Sequence, residues 1–274
     1  MSAGPVRSRL RRAGRVALFV LVTWLLATVV DVRAITWPAG VGTALLPPVA
    51  HDPAFDASEP TLVVLQHGLA RSSWSMERIA KALRAHGYEV MNPGYPSTWG
   101  DLDRHAAALA VAIETRLANA EATPRLAFVG HSLGGLVIRA YLERDDARTP
   151  HACCFLGTPQ RGAVLATWHA RFAAFPLFVG GAAWQLLPSD PIHERLGRVE
   201  AANVGVLYGH RGDGEGWSNH IPGDDDRRVG VAEAQLPEQT AVKGLPIGHF
   251  ELGHGPTVQR EVLAFLRTGA FLAD

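Results

Sequence analysis

Cysteine is nearly absent from the chain, which has only two, Cys153 and Cys154, side by side in an apolar run. Neighbouring residues on a strand point to opposite faces, so the pair is poorly placed to bridge itself. Buried thiols are the reading, and they carry no information about redox compartment. Net charge is absent too, at 26 basic against 26 acidic residues, but the balance is uneven. Residues 1–15 hold five arginines and no acid, which leaves 21 basic against 26 acidic in the remainder. A mildly acidic body argues against a nucleic-acid partner. There is no internal repeat, and no low-complexity tract follows the N-terminal segment. His210, Asp213, His220 and residues 224–226 can be drawn together as a metal site, but no ligand spacing supports it. Neither a metal nor another cofactor is expected. What remains is a 274-residue chain, 47% apolar and 19% charged, able to bury one substantial α/β core.

After the arginines at 7, 9, 11, 12 and 15 come residues 16–30, fifteen in a row without a charge. This is the n-region and h-region pattern of a secretory signal. Fifteen residues make about 22 Å of helix, short of a ~30 Å hydrocarbon core unless apolar residues beyond Asp31 and Arg33 extend it. Residues 1–34 therefore read as a signal or membrane anchor, with the basic end cytoplasmic and the rest exported. Whether Val32-Arg33-Ala34 is cleaved stays open. Residues 35–60, with five prolines, read as a linker and lead-in.

From residue 61 apolar runs alternate with amphipathic stretches. Strands are expected over 61–66, 88–92, 125–129, 151–156, 203–208 and 241–246. Helices are expected over 74–85, 102–119 (opened by Asp101), 133–144 and 257–266. Alternation of this kind predicts an α/β fold with a mostly parallel sheet covered on both faces. Residues 160–200 break the rhythm. They carry Trp168, Phe172, Phe175, Phe178, Trp184, Leu186 and Leu187, and read either as a lid lining an acyl pocket or as extra helices packed on the core.

The chain is organised around GHSLGG at 130–135, which fits Gly-x-Ser-x-Gly with a strand before it and a helix after. A strand that enters a helix through a serine is a nucleophile elbow. The turn is tight, so Gly130 and Gly134 must be almost side-chain-free to avoid collision. Ser132 is then the nucleophile. A serine hydroxyl needs a base, held in one tautomer by a carboxylate, and two N–H donors for the oxyanion. One donor is Leu133, next to the serine. The other is Leu69, on the loop after the first strand, with His67 bracing that loop. Of twelve histidines, the base expected after the last strand is His249, with His254 its competitor. His131 should point away from the serine into the elbow packing. The acid lies between 208 and 249. Asp226 is favoured, with Asp225 and Asp213 as alternatives and Asp224 as a member of the same acidic run.

HGLARSS at 67–73, GYPST at 94–98, GHSLGG at 130–135, GTPQRG at 157–162 and LPIGHF at 245–250 together resemble the α/β-hydrolase superfamily, in its bacterial lipase/esterase-like branch. The resemblance covers roughly residues 60–270. It implies a domain over 61–270, a Ser–Asp–His triad, and action on carboxylic esters or lipids without a cofactor. An acyltransferase or thioesterase would use the same machinery, and a membrane-tethered binding protein could use the scaffold alone. In such lipases the acid often sits in Asn/Asp-Asp-Gly-x-Val. Here Arg227 stands where the glycine would be, a departure expected to alter the loop backbone.

Overall fold

In the computed structural model, residues 61–171 and 181–273 are described. The N-terminal segment 1–34, the linker 35–60 and the aromatics Phe172, Phe175 and Phe178 lie outside the described residues. Six strands form one all-parallel sheet: β1 Thr61–Gln66, β2 Glu89–Met91, β3 Arg125–His131, β4 Ala152–Leu156, β5 Asn203–Gly209 and β6 Ala241–Leu245, in the spatial order β2-β1-β3-β4-β5-β6. The chain moves from β1 outward to β2, then returns across β1 to β3. Such a reversal falls at the carboxyl ends of β1 and β3, the kind of place where open α/β sheets bind ligands.

A two-sided core explains the continuous apolar runs. Along β1 the side chains alternate, with Leu62 and Val64 in one buried cluster and Val63 and Leu65 in the other. Cys153 and Cys154 separate in the same way, both free and buried. The first face is covered by α2 (Leu102–Leu117) and α3 (Leu133–Leu142). The second is covered by α1 (Glu77–Ala85) and α8 (Pro256–Thr268). Asp101 caps α2, its carboxylate accepting the Arg104 N–H at 2.8 Å, and so supplies one of the acceptors a helix start lacks.

Element bounds differ from the sequence expectation where local chemistry intervenes. Residues Ser73–Met76 form a 3-10 turn that leads into α1, so the helix proper begins three residues later than expected. In α3 every residue from Leu133 to Tyr141 is buried, Arg139 included. Such a helix is enclosed on all sides.

Three short helices lie in the 160–200 region: α4 Val164–His169, α5 Gly181–Trp184 and α6 Ile192–Arg195. Residues 181–199 are docked on the first face. Ala182, Ile192, Leu196 and Val199 join its core, and Gln185 accepts the Leu102 N–H at 2.7 Å. Buried Arg139 clamps the same region, donating to the carbonyls of Gln160 (2.7 Å) and Leu196 (2.8 Å). Among the described residues, no helix is long and apolar enough to cross a membrane.

Candidate active site

Ser132 follows the last residue of β3 and holds φ 55°, ψ −126°. A positive φ is strained for a residue with a side chain and persists only where its surroundings enforce it. They do so by close packing. A Cβ on Gly130 would lie 2.6 Å from the Gly135 Cα, and one on Gly134 would run into the Gln66 carbonyl. Glycine at 130 thus lets α3 fold back on the end of β3, and glycine at 134 lets α3 sit against the end of β1. Ser132 N–H also donates to the Leu156 carbonyl at 2.9 Å, which fixes the elbow to the end of β4.

The loop after β1 abuts the serine, since a Cβ on Gly68 would stand 3.0 Å from the Ser132 Cβ. Among the described residues neither the Leu69 nor the Leu133 N–H meets an acceptor. Leu133 opens α3, whose first N–H groups have no partner within the helix. Behind this loop stands His67, fully buried. The Tyr95 N–H donates to its Nε2 (3.3 Å), so Nδ1 carries the proton and donates to the Gly68 carbonyl (3.0 Å). The Tyr95 ring stacks on it at 4.3 Å, and the Tyr95 hydroxyl donates to the His67 carbonyl at 2.6 Å. Desolvation pushes the His67 pKa down to about 4, with nearby His105 adding a little and the Gly68 bond opposing it. His67 is a neutral brace, and Tyr95 of the GYPST stretch is its partner.

Asp226 and His249 meet on the far side of the elbow. His249 Nδ1 lies 2.7 Å from the Asp226 Oδ2, both groups being buried. The other carboxylate oxygen accepts the Arg228 N–H (2.9 Å) and the Val229 N–H (2.7 Å). An ionised carboxylate only accepts, so Nδ1 holds the hydrogen and Nε2 keeps a free lone pair. The Asp226 carbonyl also accepts the His249 N–H at 2.8 Å. Backbone and side chain thus tie the same two residues. A Cβ on Gly157 would stand 3.1 Å from Asp226 Oδ2 and 3.2 Å from His249 Nδ1, so the pair packs on the end of β4, next to the strand that carries Ser132.

His249 was expected on a loop but is the first residue of a one-turn helix, α7 (His249–Leu252). His131 has a part that its sequence neighbourhood did not suggest. Its Nε2 donates to the His249 carbonyl at 2.9 Å and its ring lies 4.9 Å from the His249 ring. Burial, then the nearby His249, holds its pKa well below the ordinary value. It is a neutral prop under His249, 118 residues distant in sequence.

The remaining acids of the run are used by the loop itself. Asp213 accepts the N–H groups of Glu215 and Gly216, both at 3.0 Å, and these bonds lower its pKa. Asp224 accepts those of Arg211 (2.7 Å) and Gly212 (2.8 Å), and Asp225 those of Arg227 (2.6 Å) and Ser218 (2.9 Å). Of the four acids, Asp226 is the one in contact with His249. Arg227 takes φ 83°, the conformation that favours glycine. The loop therefore has a backbone a glycine would adopt easily, contrary to the expected alteration, and the strain falls on the arginine. Among the described residues, no group of three or more His, Cys, Asp or Glu side chains is disposed to hold a metal.

Residues 57–157 match the family model described as "Putative serine esterase (DUF676)". Among solved structures, the chain is similar to the mature form of the Bacillus licheniformis lipase BlEst2. The two share 21% identity over 81% of this chain and 96% of that one, at a TM-score of 0.59. It is also similar to the metagenomic carboxyl esterase MGS0156 (19% identity, 70% of this chain and 65% of that one, TM-score 0.53). A third is Aspergillus fumigatus lipase B (15% identity, 81% and 55%, TM-score 0.57). No curated protein matches the sequence. At these identities the likeness concerns the fold.

Proposed function

We propose that this chain, an α/β-hydrolase, is a serine esterase that cleaves carboxylic esters through an acyl-enzyme. The observation that carries the reading is the buried Asp226–His249 pair at 2.7 Å, packed on the strand end beside the strained Ser132. His249 Nε2 takes the proton of Ser132 Oγ as the oxygen attacks the ester carbonyl. The oxyanion receives the N–H groups of Leu69 and Leu133, a donor pair of which each member is typically worth 10²–10³ in rate. The C–O bond to the leaving alcohol breaks, and the alcohol takes the proton from Nε2. Water then attacks the acyl-serine ester, with His249 again accepting and returning one proton. Asp226 stays ionised throughout and holds the imidazole in the Nδ1–H tautomer.

Exposed Trp74 in the 3-10 turn after β1, Trp99 on the loop after β2 and Phe250 in α7 after β6 give the carboxyl rim apolar surface. This supports an apolar acyl chain or a lipid ester as substrate. The N-terminal segment 1–34, read as a signal or anchor, would place the enzyme outside the cytoplasm, tethered or released. The test is hydrolysis of p-nitrophenyl esters, short to long, by the full chain in nonionic detergent, beside Ser132→Ala. A fluorophosphonate label should attach to Ser132, and turnover should fall by at least about 10³ in the variant. Turnover that survives Ser132→Ala, or no turnover of any ester by the parent protein, would overturn the reading.

A further inference from the structure

Next to the base stands an exposed ring with a cation from each side. Phe250 follows His249, and their ring centres are 6.3 Å apart. The Arg71 guanidinium lies 4.3 Å from the Phe250 ring centre, and that of Arg228 lies 5.5 Å from it. A third guanidinium, of Arg227, sits 4.7 Å over Trp217. A ring face attracts a cation by about 0.5–1 kcal/mol at an exposed site but does not neutralise it. Asp226 offsets part of the Arg228 charge, but it has other donors to serve. The Asp226 oxygens already accept from His249, Arg228 N–H and Val229 N–H. Among the described residues, no carboxylate forms an ion pair with Arg227 or Arg228. This concentration of positive charge stands on a body whose charge, outside the first fifteen residues, is net acidic.

The two arginines on Phe250 are also held in register with the chemistry. Arg71 lies two residues beyond Leu69 on the loop that abuts Ser132. Arg228 is fixed by its own N–H on the Asp226 carboxylate. Guanidinium forks suit planar oxyanion groups, and a fixed positive field beside a cleft draws anionic ligands toward it.

We propose that Arg71 and Arg228, stacked on Phe250 beside His249, recognise an anionic oxygen group, carboxylate or phosphate, carried by the ester substrate several bonds from the scissile carbonyl. This rests on the esterase reading of Ser132, Asp226 and His249. The ester itself is cut as above, and the anion takes no part in bond changes.

The test uses the full chain in nonionic detergent with three p-nitrophenyl esters: the neutral butanoate, the glutarate monoanion and the 4-phosphonobutanoate. The parent protein should favour an anionic ester, and the better of the two names the group. Arg228→Gln and Arg71→Gln should each lower the ratio of anionic to neutral kcat/KM by about tenfold, mainly through KM, with Arg228→Lys recovering part of it. Calorimetry of glutarate and inorganic phosphate with Ser132→Ala reads binding without turnover, and Arg228→Gln in that background should weaken it several-fold. A parent protein that prefers the neutral ester, or ratios unchanged in both Gln variants, overturns the inference while leaving the esterase reading standing. If no ester is turned over, the esterase reading fails by itself. The calorimetric arm then decides the anion site: binding that depends on Arg228 supports it, and none overturns it.

Discussion

The serine elbow and the acid loop both hold one side chain at the carboxyl end of the sheet, and they do so by opposite means. At the elbow the strain sits on the proposed nucleophile itself, Ser132, and is imposed by contacts so close that Gly130 and Gly134 leave no space for a methyl group. In the acid loop the strain sits beside the proposed acid, Asp226, on Arg227. Its shape is held by Asp213, Asp224 and Asp225, each accepting backbone N–H groups. One is shaped by exclusion of volume, the other by satisfied hydrogen bonds. Packing of the first kind should fail abruptly, and hydrogen bonding of the second kind gradually.

The largest effect should separate the two kinds of aspartate. Asp226→Asn keeps the shape but presents an amide to His249, which can stabilise the wrong tautomer. We expect a fall in kcat of about 10⁴, with the fold intact by circular dichroism. Asp225→Asn weakens bonds to the Ser218 and Arg227 N–H groups, and should lower the melting temperature more than the rate. Equal rate losses in the two variants would mean that the loop, rather than the Asp226–His249 contact, governs activity.

Packing should come next in size. Gly134→Ala forces a methyl group against the Gln66 and His67 carbonyls, and should cost at least about 3 kcal/mol or abolish folding. Gly223→Ala in the acid loop meets open space, and pays only for its φ of 75°, about 1 kcal/mol. Urea unfolding of both variants checks this. Similar losses would erase the distinction between the two regions.

Acid should act on the elbow side through its buried neutral histidines. Folded His67 protonates near pH 4, whereas in the unfolded chain it does so near 6.5. Between these values the unfolded state binds more protons. The stability associated with His67 is therefore complete above pH 6.5 and falls as pH drops toward 4, by about 3 kcal/mol in all. Unfolding midpoints from pH 7 to pH 4.5 should drop more steeply in the parent protein than in His67→Gln. Parallel profiles would mean that His67 is not the group responsible.

How much of this could be read from the sequence followed the range of each interaction. The strands were legible because sheets buried on both faces need unbroken apolar runs, as in Thr61–Gln66 and Ala152–Leu156. The elbow was legible because its glycines and serine lie within five residues. The contact of Asp226 with His249 spans 23 residues. There the sequence narrowed the choice to Asp226 over Asp225 and Asp213 without the hydrogen bonds that distinguish their roles. His131 under His249, and Phe250 between Arg71 and Arg228, were not legible. They are made only when loops after different strands converge. GYPST and GTPQRG stand out as motifs in the sequence, but the jobs of Tyr95 and Gly157 depend on neighbours that only the fold brings to them.

The smallest effect tests where the acid loop keeps its strain. Arg227, at the position where the lipase-like pattern would have glycine, takes φ 83° with its guanidinium over Trp217. Replacement by alanine removes the ring contact and keeps the strain. Replacement by glycine removes both, although it also loosens the unfolded chain. The difference between the two variants cancels the ring contact and isolates the backbone. At an ordinary position alanine is the more stabilising of the pair. Here Arg227→Gly should be more stable than Arg227→Ala by about 1 kcal/mol, measured by urea unfolding. The glycine variant should also keep the Asp226–His249 geometry, and with it the esterase rate, at least as well as the alanine variant. The reverse order of stability would mean that the loop relaxes to a negative φ when the arginine is removed. The left-handed turn would then be held by the Arg227–Trp217 contact, and the hydrogen bonds of Asp225 would follow it rather than impose it.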